Sequence, residues 1–150
     1  MFTVVVHGRD GREVIREVPP GTTFEALAAD FQEEYDGMIA VAAADGRMRE
    51  LFKRVNRDCR IDFFTLKDDV GHKSYVRAAK MLFLKSVYDL FGNDAAQKSC
   101  MEFAVGVGTY VNTYGNVPST AENAEKIKSR MRQLVEAKVP FMKNSYPLED

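Results

Sequence analysis

The hydrophobic period changes several times along the chain, and each change marks an element. Phe2, Val4 and Val6 alternate with Thr3, Val5 and His7, the period of a strand. Gly8-Arg9-Asp10-Gly11 supplies a turn, with Asp10-Gly11 suited to positive φ. From Arg12 to Val18 the alternation resumes and completes a hairpin, which Pro19-Pro20-Gly21 ends because proline cannot extend the ladder. Thr22-Thr23-Phe24-Glu25 reads as a capping box, a Thr hydroxyl serving a helix amide and the Glu returning to the cap. Phe24, Leu27, Ala28, Phe31 and Tyr35 then share one helical face, and Asp36-Gly37 stops that helix. Met38 to Ala44 is a nearly continuous apolar run, fitting a strand buried on both faces. Asp45-Gly46 turns the chain, a short extended piece covers Met48 to Leu51, and a polar connector follows. Cys59, Ile61 and Phe63 alternate with Arg60, Asp62 and Phe64 in a last strand.

Beyond Leu66 the period lengthens. Lys67-Asp68-Asp69-Val70 is a polar hinge, either a helix cap facing the positive dipole end or a solvated linker. Between Gly71 and Gly92 a helix is predicted, with Tyr75, Val76, Ala79, Leu82, Phe83, Ser86, Val87 and Leu90 on one face. Met81, Leu84, Tyr88 and Phe91 add a second apolar face, so the helix is expected to start at the surface and end inside. Lys98 to Val107 and Thr109 to Tyr114 read as two strands about a bend at Gly106-Val107-Gly108. Ser119 and Glu122 read as a capping box for a last helix, with Ile127, Met131, Leu134, Val135 and the stem of Lys138 as its apolar stripe and Pro140 as its stop. Phe141 to Tyr146 reads as a further strand, and Pro147-Leu148-Glu149-Asp150 as the opening of another helix, so the chain is expected to be truncated.

Composition narrows the class. With 45% hydrophobic and 29% charged residues the chain is expected to be globular rather than disordered. A formal charge of -1 gives no global attraction to nucleic acid, so any such binding needs a local patch. No apolar run is long enough to span a bilayer and the N-terminus lacks a signal-peptide pattern, so no membrane association is expected. Cys59 and Cys100, unmatched as a pair, point to buried thiols in a reducing, cytoplasmic setting.

The order of the first 66 residues, hairpin, helix, central strand, short strand, final strand, is that of an α+β protein with a β-grasp (ubiquitin-like) domain. Val18-Pro19-Pro20-Gly21-Thr22-Thr23-Phe24-Glu25-Ala26-Leu27-Ala28 resembles the strand-to-helix signature of TGS domains, which occur in threonyl-tRNA synthetases, certain GTPases and stringent-response enzymes. Residues Ala44 to Leu51 and Asp58 to Phe64 resemble the second half of that domain, a binding module that brings no catalytic residue. Residues 67–150, a helix–β-hairpin–helix–strand unit, resemble the editing-associated region of threonyl-tRNA synthetases and the similar region preceding the kinase domain of uridine kinase-like proteins. Tyr75-Val76-Arg77, Met81-Leu82-Phe83-Leu84, Leu90-Phe91, Gly108-Thr109-Tyr110-Val111 and Glu125 to Met131 carry that resemblance. The kinase resemblance implies a parent nucleoside kinase using ATP and magnesium, with this part a non-catalytic accessory region that binds RNA, a nucleotide or a C-terminal kinase domain.

Candidate chemistry is sparse. The synthetase-like site opens its helix with two histidines four residues apart, which converge on one metal. Here His72 holds the first position, Val76 the second, and Phe103 stands where the hairpin often has a third histidine, so no metal site and no cofactor are expected. No phosphate-cradling G-x-x-x-x-G-K-S/T occurs. Lys73, Arg77 and Lys80 fall at i, i+4 and i+7, a basic stripe that can meet phosphates while Tyr75 or Tyr110 stacks on bases. The alternative is a solvated face with pairs such as Glu122 with Lys126, which the near-zero net charge favours. Two rival readings are a degenerate aminoacyl-tRNA editing hydrolase and a pure interaction module docking through the Met81, Leu84 and Tyr88 face or an edge strand.

Overall fold

The computed structural model describes residues 1–106 and 108–144. The chain forms two compact units, Met1–Ala78 and Ala79–Asp150.

In the first unit, strands β1 (Phe2–His7), β2 (Glu13–Val18), β3 (Ile39–Ala44), β4 (Arg47–Arg49) and β5 (Cys59–Thr65) form one sheet in the order β2-β1-β5-β3-β4. The β1–β5 pair at its centre is parallel, with Val6 opposite Ile61, and the other pairs are antiparallel. With helix α1 (Phe24–Phe31) packed on this mixed sheet, the fold is α+β with a β-grasp arrangement. Alternation produced it: Val4, Val6, Val18, Ile61 and Phe63 point to one face and are buried with Phe24, Leu27, Ala28 and Phe31 from the helix. Each such side chain contributes roughly 1.5–3 kcal/mol on burial. Phe63 packs against Phe31 and edge-on against Tyr35, both at 6.2 Å between ring centroids. After α1 a single 3-10 turn (Gln32–Glu34) and Gly37 at φ 110° deliver the chain to β3. The Gln32 side chain fixes that exit, donating to Gly37 O and accepting from Ile39 N.

Several expectations are corrected here. The α1 cap is Thr23, whose hydroxyl accepts from Ala26 N at 3.1 Å. Glu25 therefore sits one position too early for a capping box. The His7 ring lies half-buried between Asp62 at 2.9 Å and Glu13 at 3.2 Å. Cys59 is half-buried and Cys100 exposed, so neither is a fully buried thiol. The long helix α2 runs Asp69–Gln97, starting before Gly71 and resuming after Gly92, whose φ of 87° breaks its regular path. Gly71 lies inside the first turn because the helix meets β5 there: a Cβ at this position would stand 2.0 Å from Thr65 O. The Asp68 carboxylate does not cap the helix amides but turns back, accepting from Thr65 N at 2.7 Å and Thr65 Oγ1 at 3.0 Å and pairing with Arg9.

In the second unit, β6 (Cys100–Val105) and β7 (Gly108–Asn112) form a two-stranded antiparallel hairpin; Val107, in the expected bend, lies outside the described residues. Helix α3 (Ala121–Glu136) is capped by Thr120, not by Ser119, through Asn123 N at 3.2 Å. Val87, Ala95, Val117 and Ile127 form the buried core, with Phe83, Phe91 and Met131 packed on it. Arg130 ties α3 to α2, donating to Asp89 Oδ2 from Nε and Nη2 at 2.9 and 2.7 Å. Two faces are less covered than their periodicity implies. Val135 is 61% exposed, and of the expected second face of α2 Met81 and Tyr88 are exposed. Helix α3 ends before Pro140, with Lys138 at φ 50° and a closing bond from Val139 N to Leu134 O. Phe141 to Asn144 form no strand; Ser145 to Asp150, where the expected strand ends and the further helix would begin, lie outside the described residues.

Gly71→Ala should destabilise the first unit by about 1–3 kcal/mol, since the obstructing atom is backbone and cannot swing aside. Chemical denaturation followed by circular dichroism measures it. The Thr65 backbone N–H bond chiefly, with Arg9 beside it, holds the Asp68 carboxyl below the usual carboxylate range. Its stabilisation is therefore complete above the unfolded value of about 3.9 and is lost as pH falls through the lower folded value. Acid titration of Asp68→Asn should show a shallower loss of stability below about pH 4 than the parent chain.

Candidate nucleic-acid interface

Between β4 and β5 the chain runs through a loop that carries an excess of positive charge. From Arg47 to Arg60 there are six cations, Arg47, Arg49, Lys53, Arg54, Arg57 and Arg60, against Glu50 and Asp58. The loop is held by the helix it passes. Phe24 N donates to Lys53 O at 3.0 Å and Glu25 N to Leu51 O at 2.8 Å, so loop carbonyls serve amides that open α1. Val55 N donates to Thr22 O at 2.8 Å, and Val55 itself is 2% exposed. The basic side chains therefore project from a pinned backbone rather than from a free loop.

Four of these cations line a cavity of about 210 Å³. Its inner wall is apolar: Phe24, Ala44 and Val55 are buried and Cys59 half-buried. Burial chiefly pushes the Cys59 thiol pKa up, which lowers its thiolate fraction and slows its reaction with electrophiles. Arg49, Lys53, Arg54 and Arg57 line the same cavity and reach toward solvent, Arg49 being half-buried and the others exposed. Asp45, in the turn at φ 50°, accepts from Arg60 N at 3.0 Å and from Arg57 Nη2 at 2.8 Å. The Arg60 N–H chiefly, and the Arg57 guanidinium, hold its carboxyl below the usual range, so it stays ionised and fixes Arg57 at the rim. Asp58 is likewise committed, accepting from Thr3 N at 2.8 Å. Among the described residues no ion pair joins Arg49 or Arg54 to an acid. Phe52, 47% exposed, carries Lys53 Nζ 5.2 Å from its ring centroid.

The residues expected from the sequence are placed differently. Lys73, Arg77 and Lys80 all lie on α2, Lys73 and Arg77 exposed and Lys80 half-buried. Lys73 Nζ is 3.9 Å from Asp69, a loose solvent-exposed pair. Tyr75 is 57% exposed but two residues from Lys73, about 200° round the helix, so it does not stand beside that cation. Tyr110 belongs to the hairpin of the second unit, where its ring stacks on Phe103 at 5.0 Å rather than standing free. His72 is exposed, with Val76 four residues on, and no group of three or more His, Cys, Asp or Glu gathers to hold a metal among the described residues. The loop from Arg47 to Arg60 escaped the sequence reading because a connector has no period. A running count of cations against acids finds it.

No family model matches the chain. It is similar to a threonine–tRNA ligase of Symbiobacterium thermophilum, 26% identical over 140 residues, which cover 91% of this chain and 20% of that protein. A threonine–tRNA ligase of Maricaulis maris is 27% identical over 135 residues, 90% of this chain and 20% of the relative. One of Clostridium kluyveri is 23% identical over 142 residues, 95% and 22% respectively. The chain thus spans about a fifth of the length of the curated relatives it matches. The similarity runs through both units, in keeping with the resemblance to the TGS and editing-associated regions of threonyl-tRNA synthetases. These relatives give no support to the uridine kinase parent expected from Tyr75-Val76-Arg77 and Leu90-Phe91.

Proposed function

We propose that this chain is a non-catalytic accessory region of a synthetase-like protein and that it binds RNA through the loop from Arg47 to Arg60. The observation that carries the reading is the set of four cations on one cavity, held by a backbone pinned to the start of α1. Fixed cations attract phosphates at low entropic cost, and an exposed aromatic such as Phe52 adds a stacking surface. The relatives are ligases whose names carry tRNA, which supports RNA over other polyanions as the partner. Lys73, Arg77 and Lys80 form a separate basic stripe on α2.

The uridine kinase-like parent expected from the sequence and the rival editing-hydrolase reading gain less. A uridine kinase-like parent, with ATP and magnesium bound in a further kinase domain, draws only on short motifs of α2. An editing hydrolase needs a histidine partner for His72, and Val76 occupies the place. An accessory role requires neither.

Titration of the chain with unmodified tRNA across a series of salt concentrations tests the proposal. Binding should weaken steeply with salt. Arg49→Gln with Arg54→Gln should make the slope of log K against log salt shallower by about 1.5, two phosphate contacts being lost. Absence of binding at low salt, or an unchanged slope in the double variant, would count against it.

A further inference from the structure

The cavity beside the basic loop divides its chemistry by depth. Phe24, Ala44 and Val55, all at most 5% exposed, make the inner wall with Cys59, while guanidinium groups stand at the mouth. A phosphate driven inward would lose its hydration against apolar groups. A phosphate at the mouth meets Arg49, Arg54 and Arg57. At about 210 Å³ the cavity is smaller than the ~300 Å³ from which drug-sized ligands are usually held, so it fits one ring system and not a whole nucleotide. Asn56, on the lining, offers an amide donor and acceptor for a base edge.

We infer that this cavity takes a single unstacked nucleobase, with the attached sugar outside and its phosphate on Arg49, Arg54 and Arg57. The inference rests on the RNA-binding reading for its macromolecular source, since a splayed base in a single strand is the usual target of sequence-sensitive RNA recognition. A free nucleotide presents the same chemistry. Planar guanidinium groups of Arg49 and Arg54 can also stack on the base as it enters. A duplex cannot satisfy the cavity, because its bases are paired and stacked.

Cys59 makes the inference measurable, because its thiol lies on the lining. In a Cys100→Ser background, alkylation of Cys59 is followed by mass spectrometry with four additions: a short single-stranded RNA, an RNA duplex, nucleoside monophosphates, or inorganic phosphate. The single strand should slow alkylation roughly tenfold at about ten times its Kd, as only the unoccupied fraction reacts. The duplex and phosphate should leave the rate unchanged, and Arg49→Gln with Arg54→Gln should remove the protection. Protection by monophosphates at their own saturating concentration would identify a free nucleotide as the source and still support the cavity. Equal protection by phosphate or by duplex overturns base insertion. A strand that binds with salt-dependent affinity yet leaves Cys59 unprotected overturns it too, while leaving the accessory RNA-binding role intact. Monophosphate protection without RNA binding does the reverse. Neither binding nor protection overturns both. Where Cys59 alkylates too slowly to follow, amide NMR shifts of Phe24, Ala44 and Val55 decide the same question: shifts with the single strand support insertion, and their absence at saturation overturns it.

Discussion

The open amides at the start of α1 shape the candidate site of the first unit. A helix begins with N–H groups that have no intrahelical partner, and burying them unpaired is costly. Here Thr23 serves one, and the carbonyls of Leu51 and Lys53 serve two more. The loop that would otherwise wander between β4 and β5 is thereby drawn over the helix end. Val55 is buried by the same closure and packs with the core. One backbone requirement thus fixes the helix start, seals a corner of the core and sets the direction of four cations.

The strands and helices of the first unit were legible because each buries one face with a fixed period. Val4 and Val6, or Leu27 and Phe31, announce their side by spacing alone. Turns were legible from chemistry: Asp45 and Gly46 both adopt positive φ, as that pair allows. The caps were located a residue early. Thr22 and Thr23 offer the same hydroxyl, and only the loop carbonyls, distant in sequence, decide between them. Gly71 has the residue type of a boundary, yet its absent Cβ makes room for the Thr65 carbonyl, a contact no local pattern encodes. At the surfaces of the second unit, helical spacing and burial part company. Val135 and Tyr88 have helical spacing that implies cover, and both are exposed.

The candidate site shows the same division. Lys73, Arg77 and Lys80 stand out in the sequence because a helix repeats them at one face. Arg49, Lys53, Arg54 and Arg57 come from a strand end and an aperiodic loop, and they gather only because the loop folds back on α1. Tyr75 and Tyr110 looked available for stacking by residue type. One lies away from Lys73 round the helix and the other is already stacked on Phe103.

A net charge of -1 does not weigh against a cationic site, because charge acts over a limited range. At physiological ionic strength the Debye length is about 8 Å, so an acid on a far surface scarcely reduces the field at the loop. Nearby acids matter more, and two of them are occupied. Asp45 is bound to Arg60 N and Arg57, and Asp58 to Thr3 N, each serving a backbone amide of β5 or β1. These carboxylates organise the site, and among the described residues no ion pair joins an acid to Arg49 or Arg54. A patch assembled this way combines guanidinium groups with a rigid frame. Frame and charge share one origin, the meeting of the loop with the start of α1, so loosening that meeting should blur both together.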